Sequence, residues 1–312
     1  MKRVAVYTHS ACLAHDTGPG HVECAARLRA VTDALRAVPG LEWHDAPRAA
    51  RGQLARVHSD LLLRRVLDTR PDDDAPIALD ADTVLSIHSH EAALRAAGAG
   101  VAAVDAVVGG EVHAAFCAVR PPGHHATGDT AMGFCLINNI AVAAAHALER
   151  HGLSRVAIID FDVHHGNGTQ DIFAHEARVQ YLSTHQSPLF PETGARHERG
   201  IGNLINRPLP PGAERRAFTD TWRTELLPEI DAFAPQLLLV SAGFDAHWRD
   251  PLAQLRIDAD DIAWLTCELV RLAETHADGR IVSTLEGGYD LTALKECALA
   301  HVQALQGTWP AV

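Results

Sequence analysis

Basic residues are scarce: Lys and Arg total 27 against 39 Asp and Glu, a net charge of −12. The positive field that draws nucleic acid or an anionic membrane is missing, so those two partner classes are excluded as expectations. Long apolar runs are lacking too. The longest candidate, 96–110, is rich in Ala, Gly and Val and carries Asp105, too short and polar to cross a bilayer. The apolar start at Val4-Ala5-Val6-Tyr7 stops at Thr8-His9-Ser10, well short of a signal-peptide core. No C-x-x-C occurs among Cys12, Cys24, Cys117, Cys135, Cys267 and Cys297, which argues against a disulfide framework or a zinc ribbon and for a reducing, cytoplasmic setting. Extended Pro/Gly linkers are also absent. Pro71–Pro76 and Arg207–Gly212 read as loops, and the 312 residues are taken as one domain.

Histidine, by contrast, is abundant at 20 residues, and imidazole is both the commonest metal ligand and the usual acid or base near neutral pH. Short β-branched or Leu-rich runs predict strands at 3–8, 114–119, 155–161, 179–183, 236–241 and 280–285. Runs such as Val156-Ala157-Ile158-Ile159 and Leu237-Leu238-Leu239-Val240 are apolar throughout, as strands covered on both faces of a parallel sheet require. Helical periodicity covers 91–108, 139–150, 214–233, 258–277 and 290–306, with Asp258 and Asp290 as caps. The alternation predicts a three-layer αβα sandwich.

Parallel sheets bind ligands beyond the carboxyl ends of their strands. Four of those ends are unusually polar here. The first is Arg120-Pro121-Pro122-Gly123-His124-His125, a stiff loop carrying two adjacent histidines, with Gly133-Phe134-Cys135 to follow. The second, Asp160-Phe161-Asp162-Val163-His164-His165-Gly166-Asn167, would put Asp160, Asp162 and His164 on one face if the strand continued, a ligand pattern for zinc or another first-row divalent ion. A bland alternative makes the carboxylates a pair capping the next helix and hydrogen-bonded by its loop, but it leaves so many ionisable groups after an apolar strand unexplained. The third carries Asp245, either a helix cap or the ligand completing an Asp162, His164, Asp245 set with an open position. The fourth, Glu286-Gly287-Gly288-Tyr289, brings one of only three tyrosines behind two glycines.

Taken in order, RPPGHHA, MGFC, DFDVHHGNGTQ, SAGFDAH and LEGGYDL resemble the zinc-dependent histone deacetylase superfamily, in particular class II-like bacterial histone deacetylase-like amidohydrolases. The resemblance implies an arginase-like αβα fold with a central eight-stranded parallel sheet. It implies Zn²⁺, with Fe²⁺ or Co²⁺ as alternatives, on Asp162, His164 and Asp245. By the same likeness His125 is the general base and acid, and His124 a protonated electrostatic partner. Asp160 orients His124, Asn167 orients His125, and Tyr289 donates to the oxyanion. Gly133, Phe134, Phe190 and Leu252 line the substrate channel, and Asp160, Asp162, His164, Ser183 and Thr184 hold a structural K⁺, mostly through carbonyls.

The activity so implied is hydrolysis of acetyl, or a related short acyl group, from lysine side chains of a protein or peptide. An acetylpolyamine or other small N-acyl amine is the alternative substrate. Polyamine-selective relatives can carry Glu just after the D-P pair, where this chain has Leu252, which favours a neutral stem. The family's H-P-E-x-P-x-R stretch stands here as His21-Val22-Glu23-Cys24-Ala25-Ala26-Arg27, without either proline. A non-catalytic acyl-lysine reader is disfavoured by Tyr289 and the intact histidine pair. A dinuclear manganese ureohydrolase is disfavoured because ligands for a second metal are not evident. Oligomeric state is left open.

Overall fold

The computed structural model describes residues 1–71 and 75–310, so the centre of the 71–76 loop lies outside the described residues. Among the described residues ten strands form, in chain order: β1 (Val4–Thr8), β2 (Leu41–Asp45), β3 (Ile77–Ala78), β4 (Val84–Leu85), β5 (Ala114–Cys117), β6 (Val156–Asp160), β7 (Val179–Gln186), β8 (Leu204–Leu209), β9 (Leu237–Ala242) and β10 (Ile281–Leu285). Eight of them make one sheet in the order β2-β1-β5-β10-β9-β6-β7-β8, parallel at every pairing, while β3 and β4 form a small antiparallel ribbon. Helices cover the sheet, giving the expected αβα sandwich. Every residue of β5, β6, β9 and β10 is buried, which is why their sequences are apolar without alternation.

Four strands were not expected from sequence: the short ribbon strands β3 and β4, and β2 and β8, which are the two edges of the main sheet. β2 reads Leu-Glu-Trp-His-Asp and is half exposed to exposed, so it lacks the apolar signature of its inner neighbours. β8 corrects the loop expected at 207–212, since its last three residues, Arg207, Pro208 and Leu209, are strand. Pro208 lacks an N–H, and an edge tolerates that loss where an inner strand does not.

The helix expected over 214–233 is also corrected. It runs as Arg215–Thr221, a wider-pitched turn at Trp222–Leu226, and Leu227–Phe233. Pro228, in the first turn of the last segment, cannot supply the N–H that would continue a regular ladder through Thr224. Asp258 and Asp290 do cap their helices, each accepting two backbone N–H groups. Such caps contribute about 1 kcal/mol apiece. Among the described residues no helix is long and apolar enough to cross a membrane.

The strand order has one consequence for chemistry. β5, β10, β9 and β6 are consecutive across the sheet, so the four polar strand ends open side by side at its centre.

Candidate metal centre and catalytic histidine pair

At those four ends, one ligand atom each from Asp162, His164 and Asp245 lies within 4.8 Å of the others, all three residues being buried. His164 Nδ1 is 3.2 Å from Asp162 Oδ1 and 3.1 Å from Asp245 Oδ2. The route by which Asp160, Asp162 and His164 come together differs from the expected strand alternation. β6 ends at Asp160, and each aspartate then turns the chain by accepting the N–H two residues on: Asp162 N–H to Asp160 Oδ1 at 3.2 Å, His164 N–H to Asp162 Oδ1 at 2.9 Å. The remaining oxygens are fixed from other strands. Gly287 N–H donates to Asp162 Oδ2 at 2.8 Å and Val163 N–H to Asp245 Oδ1 at 2.8 Å.

Two glycines make room for this convergence. A Cβ on Gly243 would sit 2.0 Å from Asp162 Oδ2, and one on Gly287 would sit 2.0 Å from Asp245 Oδ2. Two buried carboxylates this close repel. Burial, then the charge of Asp162, pushes Asp245 up to about 7. The donor set of two carboxylates and an imidazole, with a net demand for positive charge, fits a divalent first-row cation such as zinc.

The adjacent histidines, with ring centroids 4.0 Å apart, have opposite surroundings. His124 Nδ1 meets Asp160 Oδ2 at 3.0 Å. Burial alone would lower its pKa, but the charges of Asp162 and Asp160 outweigh burial and raise it to about 10. His125 Nδ1 meets Asn167 Oδ1 at 2.8 Å, a neutral partner. Burial, followed by the neighbouring His124 and His164, drives His125 well below the ordinary imidazole value. The surroundings thus favour the charged form of His124 and the uncharged form of His125.

Beside Asp162, His164 and Asp245 is a cavity of about 260 Å³ lined by His125, Gly133, Phe134, His164, Leu189, Phe190, Leu252, Tyr289 and Asp82. The Phe190 ring stands edge-on to His125 at 5.1 Å, and Phe134 edge-on to Tyr289 at 5.9 Å. All four expected channel residues and Tyr289 therefore face one space. Ser183 and Thr184 lie on β7, with Ser183 in register with Asp160. The Ser183 hydroxyl meets His185 Nδ1 at 2.9 Å and the Thr184 hydroxyl accepts from Trp222 Nε1 at 3.2 Å.

Several residues escaped sequence reasoning. Asp82 reaches the cavity from the ribbon region; a lone aspartate in D-x-D-T gives no signal of that. Asp250 accepts Tyr289 N–H at 2.7 Å and Leu252 N–H at 3.0 Å, tying two cavity walls together. Glu286 accepts the N–H groups of Gly123 and His124 at 2.6 and 3.1 Å, and so locks the histidine loop to the tyrosine loop. Glu23, Arg27 and Arg120 form a fully buried charge cluster behind both. The missing prolines around Glu23 do not disturb it. An apolar-rich window with a few scattered charges does not reveal burial; only the pairing across the fold does.

Residues 21–305 match the histone deacetylase domain family. A histone deacetylase-like amidohydrolase of Pseudomonas aeruginosa is 38% identical, the match covering 100% of this chain and 88% of that one. A polyamine deacetylase of Mus musculus is 37% identical over 92% of this chain and 45% of its own length. Among solved structures, the crystal structure of the HDA15 HD domain superposes with a TM-score of 0.91 at 33% identity, covering 100% of this chain and 90% of that one.

Proposed function

Because the chain belongs to the histone deacetylase family, we propose that residues 1–312 form one catalytic domain that removes acetyl, or a related short acyl group, from lysine side chains. The observation that carries this reading is the His124/His125 pair, one ring against the Asp160 carboxylate and the other against the neutral Asn167 amide, beside three groups able to hold a metal at the floor of an apolar cavity. Asp162, His164 and Asp245 would hold Zn²⁺, with Fe²⁺ or Co²⁺ as alternatives. When bound, such a cation polarises the amide oxygen and acidifies water. Asp160, Asp162, His164, Ser183 and Thr184 would hold K⁺, chiefly through carbonyls. The six free cysteines fit the reducing conditions of the cytoplasm.

The chain's own groups divide the remaining work. Asn167 Oδ1 accepts from His125 Nδ1–H, which leaves the Nε2 lone pair free to take a proton from the attacking water. The same Nε2 returns that proton to the departing amine. His124, protonated and fixed by Asp160, offsets the negative charge that develops on the tetrahedral carbon's oxygen. The Tyr289 phenol donates to that oxygen, a contribution of about 3 kcal/mol for one oxyanion donor. Its pKa is held well above the ordinary phenol value, chiefly by burial, so the donor keeps its proton. Phe134, Phe190 and Leu252 flank a neutral methylene stem, and Gly133 leaves space beside His125.

A second reading, hydrolysis of acetylpolyamines or other small N-acyl amines, is favoured by the polyamine deacetylase relative and by the Asp82 carboxylate on the cavity wall. Leu252 counts against it. The deciding experiment compares kcat/KM of the zinc-loaded protein on an acetyl-lysine peptide and on N-acetylputrescine. Preference for the peptide supports lysine deacetylation; preference for the amine replaces it with the second reading.

A further inference from the structure

We propose a second divalent-metal site, away from the cavity, formed by Asp105, His146 and His151 where the helix Ser89–Val108 packs against the helix Asn139–His151. His146 Nε2 and His151 Nε2 converge on one oxygen, Asp105 Oδ1, at 2.8 and 2.7 Å. The three ligand atoms all lie within 4.8 Å of one another. A single carboxylate oxygen serves both imidazoles, and the rings are 5.4 Å apart edge to face.

The donor set selects the ion. Two imidazole nitrogens and a carboxylate suit Zn²⁺, Co²⁺, Ni²⁺ or Cu²⁺, whereas Mg²⁺ and Ca²⁺ prefer oxygen throughout. Metal–ligand bonds of about 2.0–2.2 Å in tetrahedral geometry require each N–O pair to open by about 0.6 Å. The Asp105 side chain, 52% exposed, has room to make that adjustment and to admit water as the remaining ligand. His146 is held in place at 5% exposure, with His151 between the two at 21%.

Arg56 works against the ion. Its Nη1 is 3.2 Å from His146 Nδ1, and a guanidinium only donates, so Nδ1 accepts and the proton sits on Nε2. A cation on Nε2 needs that proton moved to Nδ1 and Arg56 displaced. Arg56 lines an open groove into which it can swing, and which also contains Glu149 and Glu176, both already paired with Arg178. Arg56 therefore lowers the site's affinity without closing it.

An ion here would cross-link the two helices. The opposite end of the second helix steadies the histidine loop, Asn138 Nδ2 donating to Ala126 O at 3.1 Å and Asn139 Nδ2 to Pro121 O at 3.0 Å.

The test is zinc stoichiometry by equilibrium dialysis of the full chain, with His151→Ala, Asp105→Asn and Arg56→Ala beside the wild type. His151→Ala and Asp105→Asn are each expected to lose one equivalent while retaining their circular dichroism and activity on acyl substrate. Arg56→Ala is expected to bind that equivalent about tenfold more tightly, the scale for removing a unit charge near a divalent ion in surroundings close to water. Co²⁺ loading gives a second readout, a visible absorption component absent from His151→Ala. Zinc content in both variants equal to wild type would reduce the cluster to hydrogen bonding and overturn the proposal. Failure of the cavity's metal centre is read separately, from Asp245→Asn, whose lost equivalent is a different one.

Discussion

Arg27 lies over the ring of Tyr289, its guanidinium carbon 4.9 Å from the ring centroid, while Nη2 donates to Glu286 O at 2.6 Å and Nε to Gly288 O at 2.5 Å. The tyrosine loop is thus aimed by a residue from the N-terminal region. Arg27→Lys keeps the charge and loses the planar fork that grips two carbonyls. With Tyr289 misplaced, kcat is expected to fall about 10- to 100-fold, while KM and bound zinc stay near wild type. Steady-state kinetics with metal analysis separate this from general loss of structure.

Glu23 sits between Arg27 and Arg120 with no exposure. Burial opposes its charge, yet Arg120 and then Arg27 hold its carboxyl down to about 2. A carboxylate depressed in the folded state stabilises fully above its unfolded value of about 4.5 and loses that stabilisation as pH falls toward about 2. Glu23→Gln leaves two buried guanidinium groups without their anion, at a cost of about 3–5 kcal/mol near neutrality. Urea unfolding at pH 7 and pH 3 is expected to show the gap between wild type and variant narrowing at the lower pH.

Burial and the neighbouring His124 and His164 hold His125 low, and Asn167 offsets this only as a neutral oxygen, where a carboxylate would raise the ring's pKa further. Asn167→Asp is expected to move the acidic limb of the kcat/KM profile to higher pH, since activity requires the unprotonated ring. An unchanged limb would remove His125 from the role of base.

Gly243 and Gly287 pass within 2.0 Å, measured from an added Cβ, of the Asp162 and Asp245 oxygens. Alanine at either position is expected to weaken zinc binding about 10- to 100-fold, as do changes to groups that position metal ligands. Competition with a chromophoric chelator measures it directly.

What could be read from the chain followed from burial on two faces. Val156–Ile159 and Leu237–Val240 announce inner strands, and polar residues directly after them stand out because charge there needs a partner. Edge strands carry no such contrast, so β2 and β8 were missed, Pro208 reading as a turn. At the site, Asp162, His164, Asp245, His124, His125 and Tyr289 sit in dense local motifs. Glu23, Arg27, Asp82 and Asp250 matter through contacts across the fold, which spacing along the chain does not encode.

The central claim is that this cavity hydrolyses an acyl-lysine amide with Tyr289 as oxyanion donor. The most direct measurement is acetate release from an acetyl-lysine peptide by metal-stripped, zinc-reloaded wild type and by Tyr289→Phe. The account predicts turnover only after zinc is restored, reduced about 100-fold or more in Tyr289→Phe at equal zinc content. Full turnover in Tyr289→Phe, or none in folded, zinc-loaded wild type, would contradict it.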